Sequence, residues 1–126
     1  MAPLREIMTN DVFTTSREAS VAETAKAMVK GRFGSALVTQ GDVLVGIFTE
    51  RDVLRAAASG DDLTASAVSK WMTKDPTTAA PDDDSEDAAQ VMLSGGFRHL
   101  PVAEGAGVAG IVSLRDVLSA RIRRQT

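Results

Sequence analysis

The chain has 126 residues with 14 basic and 17 acidic side chains, a formal net charge of −3, so it offers no strongly basic face for duplex nucleic acid. It contains no cysteine, which excludes disulfides, thiolate catalysis and zinc–sulfur sites. No apolar run approaches the length of a membrane span, and the opening Met1-Ala2-Pro3-Leu4-Arg5-Glu6 lacks the apolar core of a signal peptide; these features read as a cytoplasmic protein, or as a module cut from a larger chain.

In chain order, Val12–Thr15 is a short β-type stretch. Ser20 with Glu23 three residues on forms a capping box and opens a helix with Val21, Ala25, Met28 and Val29 on one face, ended by Gly31. Two strands follow, Ser35–Thr39 and Val43–Phe48, joined through Gln40-Gly41-Asp42 as a hairpin. A second helix spans about Glu50–Ala58, with Val53, Leu54 and Ala57 inward, and stops at Ser59-Gly60. The polar stretch Asp61–Lys74 is weakly helical around Thr64–Met72. The same signals then recur: a strand at Pro76–Ala79, a helix over Ser85–Ser94 capped by Asp84 and ended by Gly95-Gly96, a hairpin of Leu100–Ala103 with Val108–Ser113, and a last helix Leu114–Arg124 with Leu114, Val117, Leu118 and Ile122 at helical spacing.

The recurrence is a duplication. Shifted by 64 residues (71 − 7), Ile7–Ala56 lies on Trp71–Ala120 without a gap, and 17 of the 50 positions are identical. Each copy alone is marginal for burying a core. The order β-α-β-β-α, taken twice, predicts an α/β fold whose helices cover the apolar faces of small sheets, with the copies packed about a pseudo-twofold axis. The acidic run Asp82–Asp87 reads as a helix start complementing the macrodipole rather than a metal site.

One pattern closes each copy: Gly46-Ile47-Phe48-Thr49-Glu50-Arg51-Asp52, and Gly110-Ile111-Val112-Ser113-Leu114-Arg115-Asp116. It sets a hydroxyl at a helix N-cap and a carboxylate one turn later, beside the free N–H groups of the helix start. A carboxylate accepts from two hydroxyls at once and suits a ribose diol. The same residues equally make a capping box, and recurrence in register does not separate the two readings, because a repeated fold repeats its caps. No nucleophile–base, phosphate-loop or metal-ligand spacing appears, so no catalytic residue and no required cofactor are predicted.

These tandem units, with openings Ile7-Met8-Thr9 and Trp71-Met72-Thr73, the strand Arg98-His99-Leu100-Pro101-Val102 and the close Gly110–Asp116, resemble the pair of CBS (cystathionine-β-synthase-type) domains called a Bateman module. The resemblance covers about residues 4 to 122, as one repeat over 4–60, a linker over 61–70 and a second repeat over 71–122. It implies a regulatory module rather than an enzyme, one that binds AMP, ADP, ATP, NAD(H) or S-adenosylmethionine between its repeats, assembles as a homodimer and acts on a regulated protein partner. Carried over residue by residue, one implied pocket joins Ile111, Ser113 and Asp116 to Thr9, Val12, Phe33 and Gly34. The other joins Ile47, Thr49 and Asp52 to Thr73, Pro76, Phe97 and Arg98.

Phe33 and Phe97 stand at equivalent positions, where a ring stacks either on a purine or in the core. Arg98 offers a donor fork to phosphates, and the single histidine, His99, makes the response pH-dependent or is a strand residue with a backbone partner. Trp71 reads as linker packing, and Arg121, Arg123 and Arg124 as cations at a helix end. The competing reading of the whole chain is a ligand-free dimerisation or partner-docking module in which Asp52 and Asp116 only cap helices.

Overall fold

A computed structural model describes residues 2–124, Arg124 by its backbone alone. The chain divides into two compact units. One is Val12–Pro76; the other joins the described residues up to Asp11 to those from Thr77 onward. Both are mixtures of strand and helix, as the sequence predicts, but they are cut differently from the sequence repeats.

The unit Val12–Pro76 contains β1 (Thr14–Thr15), α1 (Val21–Gly31), β2 (Ser35–Gln40), β3 (Val43–Thr49), α2 (Glu50–Ser59), α3 (Val68–Trp71) and β4 (Thr73–Lys74). Its sheet runs β1-β2-β3-β4, with β1 parallel to β2 and the other pairs antiparallel. Ser35 to Val38 are all buried, as expected of a strand flanked on both sides. The core gathers Val21, Met28, Ala36, Val38, Phe48, Ala56, Val68 and Met72. The helical expectation for 64–72 contracts to α3, and β4 had no forecast in the sequence: a two-residue strand carries no periodicity to read.

The composite unit holds a single 3-10 turn (Leu4–Glu6), α4 (Ser85–Gly95), β5 (His99–Glu104), β6 (Gly107–Ser113) and α5 (Leu114–Arg124). The β5–β6 ladder is flanked by one-residue bridges, Thr9 to Ile111 and Ala79 to Val102. The strand predicted over Pro76–Ala79 therefore reduces to Ala79, whose N–H donates to the Pro101 carbonyl at 3.0 Å; Pro76 has no N–H to extend the ladder. Its core gathers Leu4, Ala88, Met92, Leu100, Val102, Val112 and Val117.

Equivalent residues pair in the two units. Ile47 faces Thr73 and Ile111 faces Thr9; Thr15 faces Val38 and Ala79 faces Val102; both hairpins slip register at the same place, after Val38 and Val102. Each sheet is thus closed on one side by the segment that opens the other repeat in sequence.

Two expectations need correction. Leu54 and Ala57 read as inward, and Val29, Leu118 and Ile122 as parts of their helices' apolar faces, yet Val29 is 80% and Leu54 69% exposed, with Ala57, Leu118 and Ile122 also outward. Each small sheet buries a narrow stripe of helix, through Val21 and Met28 on α1 and Ala56, not Ala57, on α2; an apolar residue one position further round turns by about 100° and leaves it. Gly31 does not take the left-handed cap of α1 either. Arg32 does, at φ 61°, while Gly31 leaves room for the Phe33 ring. In α4 the two tasks fall to two glycines, Gly95 beneath Phe97 and Gly96 at φ 72°.

Leu4 is fully buried in the composite unit although in sequence it opens the first repeat. Leu4→Ala is expected to lower unfolding free energy by about 2–5 kcal/mol in chemical denaturation. Arg32→Gly is expected to raise it by roughly 0.5–1 kcal/mol, since relief of about 1–2 kcal/mol of left-handed strain exceeds the added unfolded-state entropy.

Candidate functional site

At the junction of β3 and α2, Thr49 is the N-cap in extended conformation and forms a capping box with Asp52. The Thr49 N–H donates to Asp52 Oδ2 at 2.9 Å and its hydroxyl to the same oxygen at 3.3 Å. Asp52 is only 6% exposed. At the junction of β6 and α5 the box is reciprocal: the Ser113 N–H donates to Asp116 Oδ2 at 2.9 Å, and the Asp116 N–H donates to Ser113 Oγ at 3.0 Å. Asp116 is half-buried.

The glycine of each pattern admits the closing segment of the sheet. A Cβ on Gly110 would stand 2.7 Å from the Thr9 carbonyl oxygen, and one on Gly46 3.0 Å from that of Thr73. The close approach is fixed by backbone bonds: Thr9 N–H to the Ile111 carbonyl at 2.8 Å, and Ile111 N–H to the Thr9 carbonyl at 3.0 Å. The first helical N–H is also satisfied from the sheet, Glu50 donating to the Gly34 carbonyl at 3.1 Å and Leu114 to the Arg98 carbonyl at 2.9 Å. Each junction thus assembles a hydroxyl, a carboxylate, an exposed threonine and a strand-start residue.

The family model for the CBS domain matches residues 4–59 and again 67–123. The chain belongs to the CBS domain family. An uncharacterised 17.7 kDa protein of Acidianus ambivalens is 40% identical over 117 residues, covering 91% of this chain and 70% of that protein. The crystal structure of the CBS-domain containing protein ATU1752 from Agrobacterium tumefaciens is similar at TM-score 0.88 and 32% identity, covering 95% of this chain and 99% of that one. The CBS domain pair of the protein MJ0100, solved with 5′-methylthioadenosine and S-adenosyl-L-methionine, has the same fold at TM-score 0.88 and 24% identity, with 95% and 99% covered. A CBS pair is a regulatory module.

Of the predicted site residues, the composite unit brings together Thr9, Ile111, Ser113 and Asp116, and with them Phe97, Arg98 and His99, the last facing Ser113 across the β5–β6 ladder. The unit Val12–Pro76 holds Ile47, Thr49, Asp52, Thr73 and Pro76, together with Val12, Phe33 and Gly34. Backbone bonds tie the Gly34 carbonyl to the first turn of α2 and the Arg98 carbonyl to that of α5. Phe33 stacks on Phe13, centroids 5.6 Å apart and planes 18° apart; Phe97 packs against the second core.

Sequence reasoning missed Arg55. Its Nη1 donates to Asp52 Oδ1 at 3.0 Å, and its guanidinium lies 5.5 Å from the centre of the Trp71 ring; the signal was the three-residue spacing from Asp52 on a helix. Trp71 packs against the first core and donates through Nε1 to Ser66 Oγ at 3.1 Å.

The acidic run divides its work. Asp82 pairs with Arg5, Asp83 accepts from the Ala80 N–H at 2.9 Å, Asp84 is the N-cap residue of α4, and Glu86 pairs with Arg121 at 3.6 Å. Arg121 therefore reaches α4; the side chain of Arg124 lies outside the described residues. A groove of about 460 Å³ between α4 and α5, with Leu93, Leu114, Val117 and Leu118 in its wall, contains none of the predicted site residues. No helix among the described residues is long and apolar enough to cross a membrane.

The Ser113 cap forms from the chain's own groups, without a ligand. Ser113→Ala is expected to cost about 0.5–2 kcal/mol of stability, measured by denaturant titration without added nucleotide.

Proposed function

We propose that this chain is a regulatory module that binds an adenosine-containing ligand, of the set AMP, ADP, ATP, NAD(H) and S-adenosylmethionine, and passes occupancy on as a conformational change. The ribose hydroxyls would meet Asp116, with Ser113 and Thr9 beside it. The observation that carries this reading is the state of the Asp116 carboxylate. Oδ2 accepts the Ser113 N–H, and no ion pair engages the group among the described residues. A half-buried carboxylate with one oxygen fixed by the backbone is held in position yet keeps acceptor capacity for a diol. The adenosine ligands bound by the pair of MJ0100 support the ligand class. A ligand acts through its differential affinity for two arrangements of the protein, so transmission requires a second arrangement that the ligand disfavours.

In the same proposal the repeats are 4–60 and 71–122, linked by 61–70, and the module works in the cytoplasm as a homodimer, without catalysis, without a required cofactor, and on a regulated protein partner. Exposed Val29, Leu54, Leu93, Leu118 and Ile122 support association, since apolar side chains left outward on the helices gain by being covered.

The second reading is a ligand-free dimerisation or docking module. What favours it is that both carboxylates already serve as helix caps. A thermal-shift panel with the five ligands separates the two. A site filled at about a hundred times its dissociation constant is expected to stabilise the protein by about 2.7 kcal/mol, and Asp116→Ala to remove the gain from its own site. If no ligand shifts the transition and Asp116→Ala only lowers it by the roughly 1 kcal/mol of a lost cap, the second reading stands.

A further inference from the structure

The two ribose-type carboxylates are not equivalent, and the difference lies in four positions around one of them. Asp52 has both oxygens engaged, Oδ2 by Thr49 and Oδ1 by the guanidinium of Arg55. Arg55 lies on the Trp71 ring, and that ring is fixed by its bond to Ser66 and approached by Lys70, whose Nζ is 5.6 Å from its centre. Shifting each by 64 residues (71 − 7) gives the equivalents in the composite unit: Ser119 for Arg55, Ile7 for Trp71, Ala2 for Ser66 and Glu6 for Lys70. Ser66, Trp71, Lys70 and Arg55 therefore have no like residue at the equivalent positions, while the Thr/Ser and Asp of the pattern exist on both sides.

We infer that Arg55 is an internal stopper on Asp52, so that the Asp116 site accepts ligand first and the Asp52 site accepts it only when Arg55 lets go. The inference rests on the adenosine-binding reading given above. A diol reaching Asp52 must displace a charge-assisted hydrogen bond from a nearly buried oxygen. Arg55 itself is about half exposed, so solvent screens part of the attraction and leaves a preference rather than a complete block. Hydrogen bonds to charged groups, discounted in this way, correspond to roughly a tenfold weakening of the Asp52 site. The Trp71 ring holds the guanidinium over the helix and lowers the cost of keeping it there.

The test is calorimetric titration of the intact chain with AMP and, separately, with S-adenosylmethionine. Wild type is expected to show one tight event per chain, removed by Asp116→Ala, and a second about tenfold weaker, removed by Asp52→Ala. Arg55→Ser, which supplies the residue of the equivalent position, is expected to strengthen the Asp52 event about tenfold and leave the Asp116 event unchanged. In the opposite sense, Ser119→Arg is expected to weaken the Asp116 event; this variant lies on an exposed helix position and serves should Arg55→Ser unfold. Two equal events in wild type, or events unmoved by Arg55→Ser and Ser119→Arg, overturn the stopper while leaving the adenosine-binding reading intact. No heat from either probe in wild type and in Arg55→Ser removes that reading and the stopper with it.

Discussion

The structure depends on a close backbone approach made at two glycines. At Gly46 and Gly110 a neighbouring carbonyl, of Thr73 and of Thr9, lies where a side chain would begin. The paired N–H and carbonyl groups of Thr9 and Ile111 then close the edge of the β5–β6 ladder, an edge that would otherwise be left unpaired. Because the closing segment is the opening of the other repeat, neither repeat is complete alone. Leu4 shows the consequence for packing: it belongs in sequence to the first repeat and in the core to the second. Duplication here doubles the sheets and makes each copy's edge depend on the other's leader.

That constraint also sets the chemistry at the strand ends. The strand holding Gly110 must end against Thr9, and the helix that follows needs its free N–H groups met. Ser113 and Asp116 meet one another's N–H groups, and the Arg98 carbonyl takes that of Leu114. A carboxylate held in this way has little freedom left, so a diol that reaches it finds an acceptor already oriented, with less entropy to lose on binding. Capping and binding are therefore compatible uses of one side chain; the cap fixes the carboxylate and the second oxygen decides what it can take. At Asp52 that second oxygen is already engaged by Arg55.

Most of the fold was legible because it was written twice. The helices over Val21–Gly31, Ser85–Gly95 and Leu114–Arg124, and both hairpins, follow from caps, glycines and alternation that recur at a fixed offset. Three things did not follow. The two-residue strand Thr73–Lys74 has no pattern of its own and exists because β3 offers an edge. The outward turn of Val29 and Leu54 depends on how little sheet there is to cover, which periodicity does not report. Gly31 reads as a cap but serves a ring, and the distinction needs the position of Phe33. For the site, the sequence found the hydroxyl and carboxylate of each pattern and overlooked Arg55, because attention to what the copies share hides what only one of them has.

Differences between the copies carry as much information as their identities. Shared residues such as Met8 and Met72, or Gly46 and Gly110, are required by the packing that both units repeat: each methionine lies within reach of its own unit's glycine. A change confined to one copy is free of that requirement. When several such changes touch each other, as Ser66, Trp71 and Arg55 do, their joint effect falls on the one shared residue they reach, Asp52. Two carboxylates in matching backbone settings then differ through their neighbours alone, in the way charge and burial separate otherwise identical acids. A duplicated site can thus give two responses from one fold, with the scaffold held constant and the selectivity placed in a few residues on one side.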